Sequence, residues 1–256
     1  MALTISLEFG PNISAEDQDV FDRAAARWAQ IIPVDLPPVR VDGAVQAGVA
    51  ISADVTDIDG PGMILGQAGP TLVRPDTMLP VRGVMEFDGG DLQALRANGT
   101  LDDVIIHEMG HVLGFGTLWM LKGLVDRSRP GDPVFTGGRS LSVYRNLRGR
   151  DDLEGVPLAN TGGSGTFAAH WRESLFTNEL MTGFINQGTN PLSALTIASM
   201  ADLGYGVDAG TADDFTIAGM LGRFFARFAR RNPACCATRP AVSVLDVPPE
   251  PPATPV

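Results

Sequence analysis

The stretch that most constrains this chain is His107-Glu108-Met109-Gly110-His111-Val112-Leu113-Gly114-Phe115-Gly116. Two imidazoles four residues apart, with a carboxylate beside the first, suit a helix. Residues i and i+4 project from one face with Cβ atoms roughly 5–6 Å apart. Val104, Ile105, Val112 and Leu113 surround the pair with apolar side chains, so this helix is expected to be buried. Buried imidazoles need partners for their ring nitrogens, and a metal ion satisfies one nitrogen of each. The spacing therefore points to zinc held by His107 and His111, with Glu108 near enough to hold a water that the metal acidifies. The bland alternative, two surface histidines on an ordinary helix, leaves the apolar flanks unexplained.

Zinc in a working hydrolytic site takes three protein ligands and keeps a fourth position open. Only three histidines occur in the chain, which leaves His170 as the last imidazole available. Thr117, three residues after Gly114, is a poor ligand. Either His170 is brought in from far along the chain, or a carboxylate such as Glu179 or Asp103 completes the site.

The rest of the sequence supplies a scaffold. A formal charge of −11 and few clustered cations argue against general nucleic-acid binding. No apolar run reaches membrane-spanning length, and the N-terminus lacks the basic and apolar regions of a secretory signal. The adjacent Cys235 and Cys236 cannot provide a disulfide framework; they read as small buried residues or a reactive surface pair. Leu3, Ile5, Leu7 and Phe9 alternate as in a strand, and Ser14 with Asp17 caps a helix whose apolar stripe runs from Val20 to Ile32. Strands are expected at Val39–Val45, Val49–Val55 and Gly83–Phe87, with Gly60–Pro80 mostly loop and a short edge strand near Ile64. Asp57-Ile-Asp59-Gly60 reads as a turn rather than a calcium loop. A short helix over Asp91–Ala97 precedes the motif helix Leu101–Leu113, capped by Thr100 and ended by Gly114. From Thr117 to Ala169 the pattern is irregular, with little helix and a flexible link at Gly162–Gly165. Asn190-Pro191 starts a further helix that runs to Gly204. Beyond it, Phe215–Arg231 forms an Arg/Phe amphipathic helix that packs back on the domain or docks on a membrane or partner, before a Pro-rich disordered tail.

Taken together, His107-Glu108-x-x-His111-x-x-Gly114-Phe115, a long insertion, His170-Trp171-Arg172-Glu173 and Asn178-Glu179-Leu180-Met181-Thr182-Gly183 resemble the leishmanolysin (M8) family of metzincin metallopeptidases. The likeness is strongest to its shorter, cysteine-poor bacterial members and runs from the first strand to about Tyr205. It implies an α+β, metzincin-like fold. An N-terminal lobe (1–116) would carry a twisted mixed sheet, a long helix and the active-site helix. A C-terminal lobe (117–206) would carry the insertion, the third histidine and the Met-turn, with 207–256 as amphipathic helix and tail. It also implies one zinc on His107, His111 and His170, Glu108 as general base, Met181 as the Met-turn methionine, and cleavage of proteins or peptides. The substrate would lie extended along an edge strand near Ile64–Leu72 or Gly83–Phe87. Because no cysteine precedes the motif, a cysteine switch is not expected. The family resemblance suggests export. The rival reading is a non-catalytic binding or adhesive module that retains a metal site; a zinc hydrolase of small amides or esters is a third.

Overall fold

The computed structural model describes residues 1–163, 165–217, 236–238 and 242–245, the side chains of 236–238 excepted. Strand β1 (Ile5–Phe9) leads into α1 (Ala15–Ile31), where Ser14 Oγ accepts the Asp17 N–H at 3.1 Å. That cap satisfies one of the amides left open at a helix start, which fixes where the chain turns helical. Val20, Phe21, Ala24, Trp28 and Ile31 form the buried face of α1. Each large side chain on it contributes about 1.5–3 kcal/mol by leaving water.

The stretch expected as one strand over Val39–Val45 is instead a tight hairpin of β2 (Val39–Val41) and β3 (Ala44–Gln46). Its turn is Asp42-Gly43, both at positive φ, the geometry that matches the twist of a two-residue hairpin. Next come β4 (Val49–Thr56), β5 (Gly66–Val73) and β6 (Pro80–Asp88). The eight-residue β5 corrects the expected loop. Its Gly66, Gly69 and Pro70 hide the alternation that marks a strand, and its register shifts after Pro70. The Asp57–Gly60 turn is held from β6, where Asp88 Oδ2 accepts the N–H groups of Ile58, Asp59 and Gly60 at 2.8–2.9 Å.

In the main sheet β1, β4 and β6 are parallel neighbours, and β5 runs antiparallel to β6 on its other side. Gly83–Phe87 is therefore interior, not an edge: β6 is hydrogen-bonded on both sides. Two short helices of the scaffold follow, α2 (Leu92–Asn98) and the motif helix α3 (Leu101–Val112). Thr100 precedes α3 without the expected side-chain cap, while Gly114 follows in the left-handed region. Helix α3 packs against α1, β5 and β6, and Trp28 Nε1 donates to Ile106 O at 3.0 Å.

The segment expected to be irregular is ordered. Strands β7 (Val125–Asp126) and β8 (Val134–Phe135) precede helix α4 (Gly138–Arg148), and β9 (Val156–Pro157) then completes a three-stranded sheet, β7-β8-β9. A short α5 (Glu173–Phe176) and then α6 (Ala194–Leu203) follow. The cap position of α6 is Ser193 rather than Asn190, because Asn190 is engaged elsewhere: its Nδ2 donates to Asp103 Oδ2 at 2.8 Å. One apolar core joins these parts, from Leu3 through α1, the sheet and α3 to Tyr205. Phe215 and Ile217 pack against that core outside any helix; the remainder of the expected Phe215–Arg231 helix, Ser164 of the Gly162–Gly165 link and the Pro-rich tail lie outside the described residues. Two short strands close the set, β10 (Cys236–Thr238) and β11 (Ser243–Val244). Cys235 lies outside the described residues. No helix among the described residues is long and apolar enough to cross a membrane.

Candidate metal centre

Helix α3 presents His107 and His111 on one face, and the loop between β9 and α5 brings His170 to them. All three rings are completely buried. Their Nε2 atoms lie 2.9 Å (His107–His111), 3.0 Å (His111–His170) and 3.2 Å (His107–His170) apart. The opposite nitrogens face backbone carbonyls: His107 Nδ1 at 2.7 Å from Leu180 O, His111 Nδ1 at 2.8 Å from Phe115 O, and His170 Nδ1 at 3.3 Å from Thr166 O. A carbonyl oxygen can only accept, so each Nδ1 carries the proton and each Nε2 carries a lone pair. Three lone pairs aimed at one point repel unless a cation sits among them. Four-coordinate zinc bound at about 2.0–2.1 Å separates two ligand nitrogens by about 3.3 Å, near the spacings found here. These are the one group among the described residues whose donor atoms cluster closely enough to hold a metal.

Electrostatics agree with that chemistry. Burial holds His107 and His170 well below the usual imidazole range, with the neighbouring imidazoles adding to the effect, and it lowers His111 to about 4. Neutral imidazoles are the ligating form.

Bringing His170 to the helix takes a close approach of two backbones. At Gly116, φ is +71° and a Cβ would lie 2.1 Å from Ala169 O, so only glycine lets the chain leaving α3 pass beside the residue before His170. Short pairings fix the far side: Ala159 N–H donates to His170 O at 2.8 Å, and Trp171 N–H donates to Met181 O at 3.0 Å. Thr117 caps the end of the helix by donating from Oγ1 to His111 O at 2.8 Å.

Met181 is fully buried beneath the motif helix. A Cβ on Gly110 would come 3.1 Å from Met181 Cε and 2.9 Å from Trp28 Cζ2, so the small residue inside the motif sets how closely helix and turn approach. Glu108 is also completely buried, and a Cβ on Gly66 of β5 would lie 3.3 Å from its Cγ. The strand thus passes directly over the carboxylate.

The carboxylates weighed as third ligands do other work. Asp103 accepts from Asn190. Glu179, fully buried, accepts Met181 N–H at 2.6 Å through Oε2, and Ser193 N–H at 3.2 Å, Ser193 Oγ at 2.6 Å and Thr196 Oγ1 at 2.5 Å through Oε1. Burial pushes its pKa up against the pull of these donors. Thr196 Oγ1 in turn accepts from Trp171 Nε1 at 2.8 Å. Glu179 is the residue the sequence did not single out in this role: it ties the turn at Met181, the start of α6 and the residue after His170 into one network. Its place within Asn178-Glu179-Leu180-Met181 was the available signal.

Two histidines on a motif helix and a third on a distant loop, set against a mixed sheet, define a metallopeptidase-like centre. The family model described as leishmanolysin, peptidase family M8, matches residues 62–227, and the chain belongs to that family. The mixed architecture of sheets and helices is consistent with it. The chain is 32% identical to a leishmanolysin homolog of Crithidia fasciculata over 133 residues, 49% of this chain and 20% of that protein. Identity to a leishmanolysin-like peptidase of Caenorhabditis elegans is 42% over 80 residues, 30% of this chain and 12% of the other. A metalloendoproteinase of Arabidopsis thaliana, 5-MMP, is 27% identical over 192 residues, 68% of this chain and 49% of the other. The chain thus spans half or less of the length of these curated relatives.

Proposed function

We propose that the protein is a zinc-dependent endopeptidase, with His107, His111 and His170 holding one zinc ion. What supports this most is the convergence of three Nε2 atoms within 2.9–3.2 Å, each ring pinned by a carbonyl at Nδ1. Zinc bound there supplies Lewis acidity towards a peptide carbonyl and acidifies water. Glu108 takes a proton from the water as its oxygen attacks the carbonyl carbon, then passes that proton to the amide nitrogen as the C–N bond breaks. Burial of Glu108 makes the charge it carries count for more than it would in water. Met181 supports the ligand cluster from beneath. Residues 1–116 and 117–206 act as the two lobes that contribute the helix histidines and the third histidine respectively.

Proteins and long peptides are the proposed substrates, bound extended along β5, which passes over Glu108. Main-chain pairing at a strand edge suits an extended chain of varied sequence. The test is Glu108→Ala assayed for zinc content and casein cleavage together. The variant is expected to bind one equivalent of zinc and to lose cleavage; full activity in it would sink the mechanism. A wild-type protein that binds one zinc and cleaves nothing would favour the binding-module reading.

A further inference from the structure

The edge of β5 that a substrate would use is already paired. Strand β6 holds one side of β5, and on the opposite side Cys236, Ala237 and Thr238 of β10 run parallel to Gly66, Gln67 and Ala68. Further along, Ser243 and Val244 of β11 pair with Leu72 and Val73, and Leu245 N–H donates to Val73 O at 2.9 Å. Leu245 is buried with Val41 and Val81, so the second strand is anchored by a side chain as well as by its backbone. The pairing starts opposite Gly66, the residue of β5 beside Glu108. Both strands lie beyond residue 227, where the match to the family model stops. His107, Glu108, His111 and His170 are all 0% exposed.

We propose that β10 and β11 are a built-in occupant of the peptide-binding edge, which the chain uses to hold itself closed. The inference rests on the peptidase reading above only in that β5 is the edge a substrate needs. A β-strand edge has one set of outward N–H and C=O groups, and two extended chains cannot both use them. Substrate must therefore displace β10 and β11, and affinity is reduced by the fraction of time the edge is free. Because β10 and β11 are tethered, they compete at a high effective concentration that dilution does not lower.

The test uses the full-length, zinc-loaded chain carrying Ala237→Pro and Leu245→Pro. Proline removes one backbone donor from each segment, including the one that bonds Val73 O. The expected result is a KM for a ten-residue fluorogenic peptide about ten-fold lower, with kcat within about two-fold of wild type, as follows when the edge is occupied for about nine-tenths of the time. A synthetic peptide of residues 236–245 should restore inhibition of the variant in competition with substrate. An unchanged or higher KM, in a variant with wild-type melting temperature and zinc content, overturns the proposal. Should the variant fold poorly, amide hydrogen exchange on the unaltered chain decides. Saturation with a six-residue peptide hydroxamate should speed exchange at 236–238 and 243–245; unchanged protection there refutes displacement. If neither protein cleaves any peptide while each binds one zinc, the peptidase reading fails, and the exchange experiment still judges the strands.

Discussion

Replacing Glu179 by glutamine changes one oxygen to an amide and probes how the centre is held. In one orientation the new amide nitrogen faces the Met181 N–H, donor against donor; in the other it faces Ser193 N–H and two hydroxyls. The first loses one charge-assisted bond of about 1.5–3 kcal/mol and leaves a buried N–H unsatisfied at about 1–3 kcal/mol. Against that, glutamine avoids burying a charge, the cause of the raised pKa of Glu179. The net expectation is a loss of about 2–3 kcal/mol in urea unfolding. Met181 is next to Leu180, whose carbonyl orients His107, so zinc affinity should also fall by about ten-fold, as for the outer partners of metal ligands generally. Glu179→Ala, which removes every acceptor, should cost more than Glu179→Gln on both measures. Stability within about 0.5 kcal/mol of wild type in Glu179→Gln, or equal losses in the two variants, would refute the count of donors on which the figure rests.

Glu173 is pushed up to about 7 by burial, against hydrogen bonds from Thr182 and Asn186. Between pH 4.5 and about 7 the folded protein therefore keeps a proton that the unfolded chain has released, so stability falls as pH rises through that window. Glu173→Gln should remove this slope, worth up to about 3 kcal/mol, and melt higher than wild type at pH 8; parallel melting curves across pH would refute it. Gly110→Ala gains about 1 kcal/mol of helix propensity but overpacks against Trp28 and Met181 at about 1–3 kcal/mol. A net loss of about 1 kcal/mol is expected in thermal unfolding, and a stabilised variant would show that the close approach is slack.

Local signals carried much of this fold. Ser14, the apolar stripe of α1 and the two helix histidines announce themselves within a few residues, because a cap and a 3.6-residue period are local properties. Helix α4 had no such signature. It buries only Ser140 and Tyr144, and its N-terminal amides are satisfied by Asp202 of α6, which accepts Arg139 N–H, Ser140 N–H and Ser140 Oγ at 2.9 Å. A cap supplied from about sixty residues away leaves no trace in the local pattern. Strand β5 was hidden for the opposite reason: small residues are needed where it crosses Glu108, and they erase the alternation. Asn190 looked like a cap because its side chain is suited to one, but Asp103 and the Asn186 carbonyl hold it. At the centre itself, the motif pair and the count of histidines were legible, whereas the role of Glu179 depended on a turn that only tertiary contacts define.

The carbonyls that fix the three imidazoles belong to Leu180, Phe115 and Thr166 as backbone, not as side chains. Sequence drift at those positions can alter packing without deleting an acceptor, so ring orientation is insulated from most single substitutions there. An engineer seeking to retune the metal has correspondingly few handles: the ligands themselves, or changes large enough to move the chain. Conversely, residues 115, 166 and 180 are places where a library can vary the walls of the centre while leaving its aim intact.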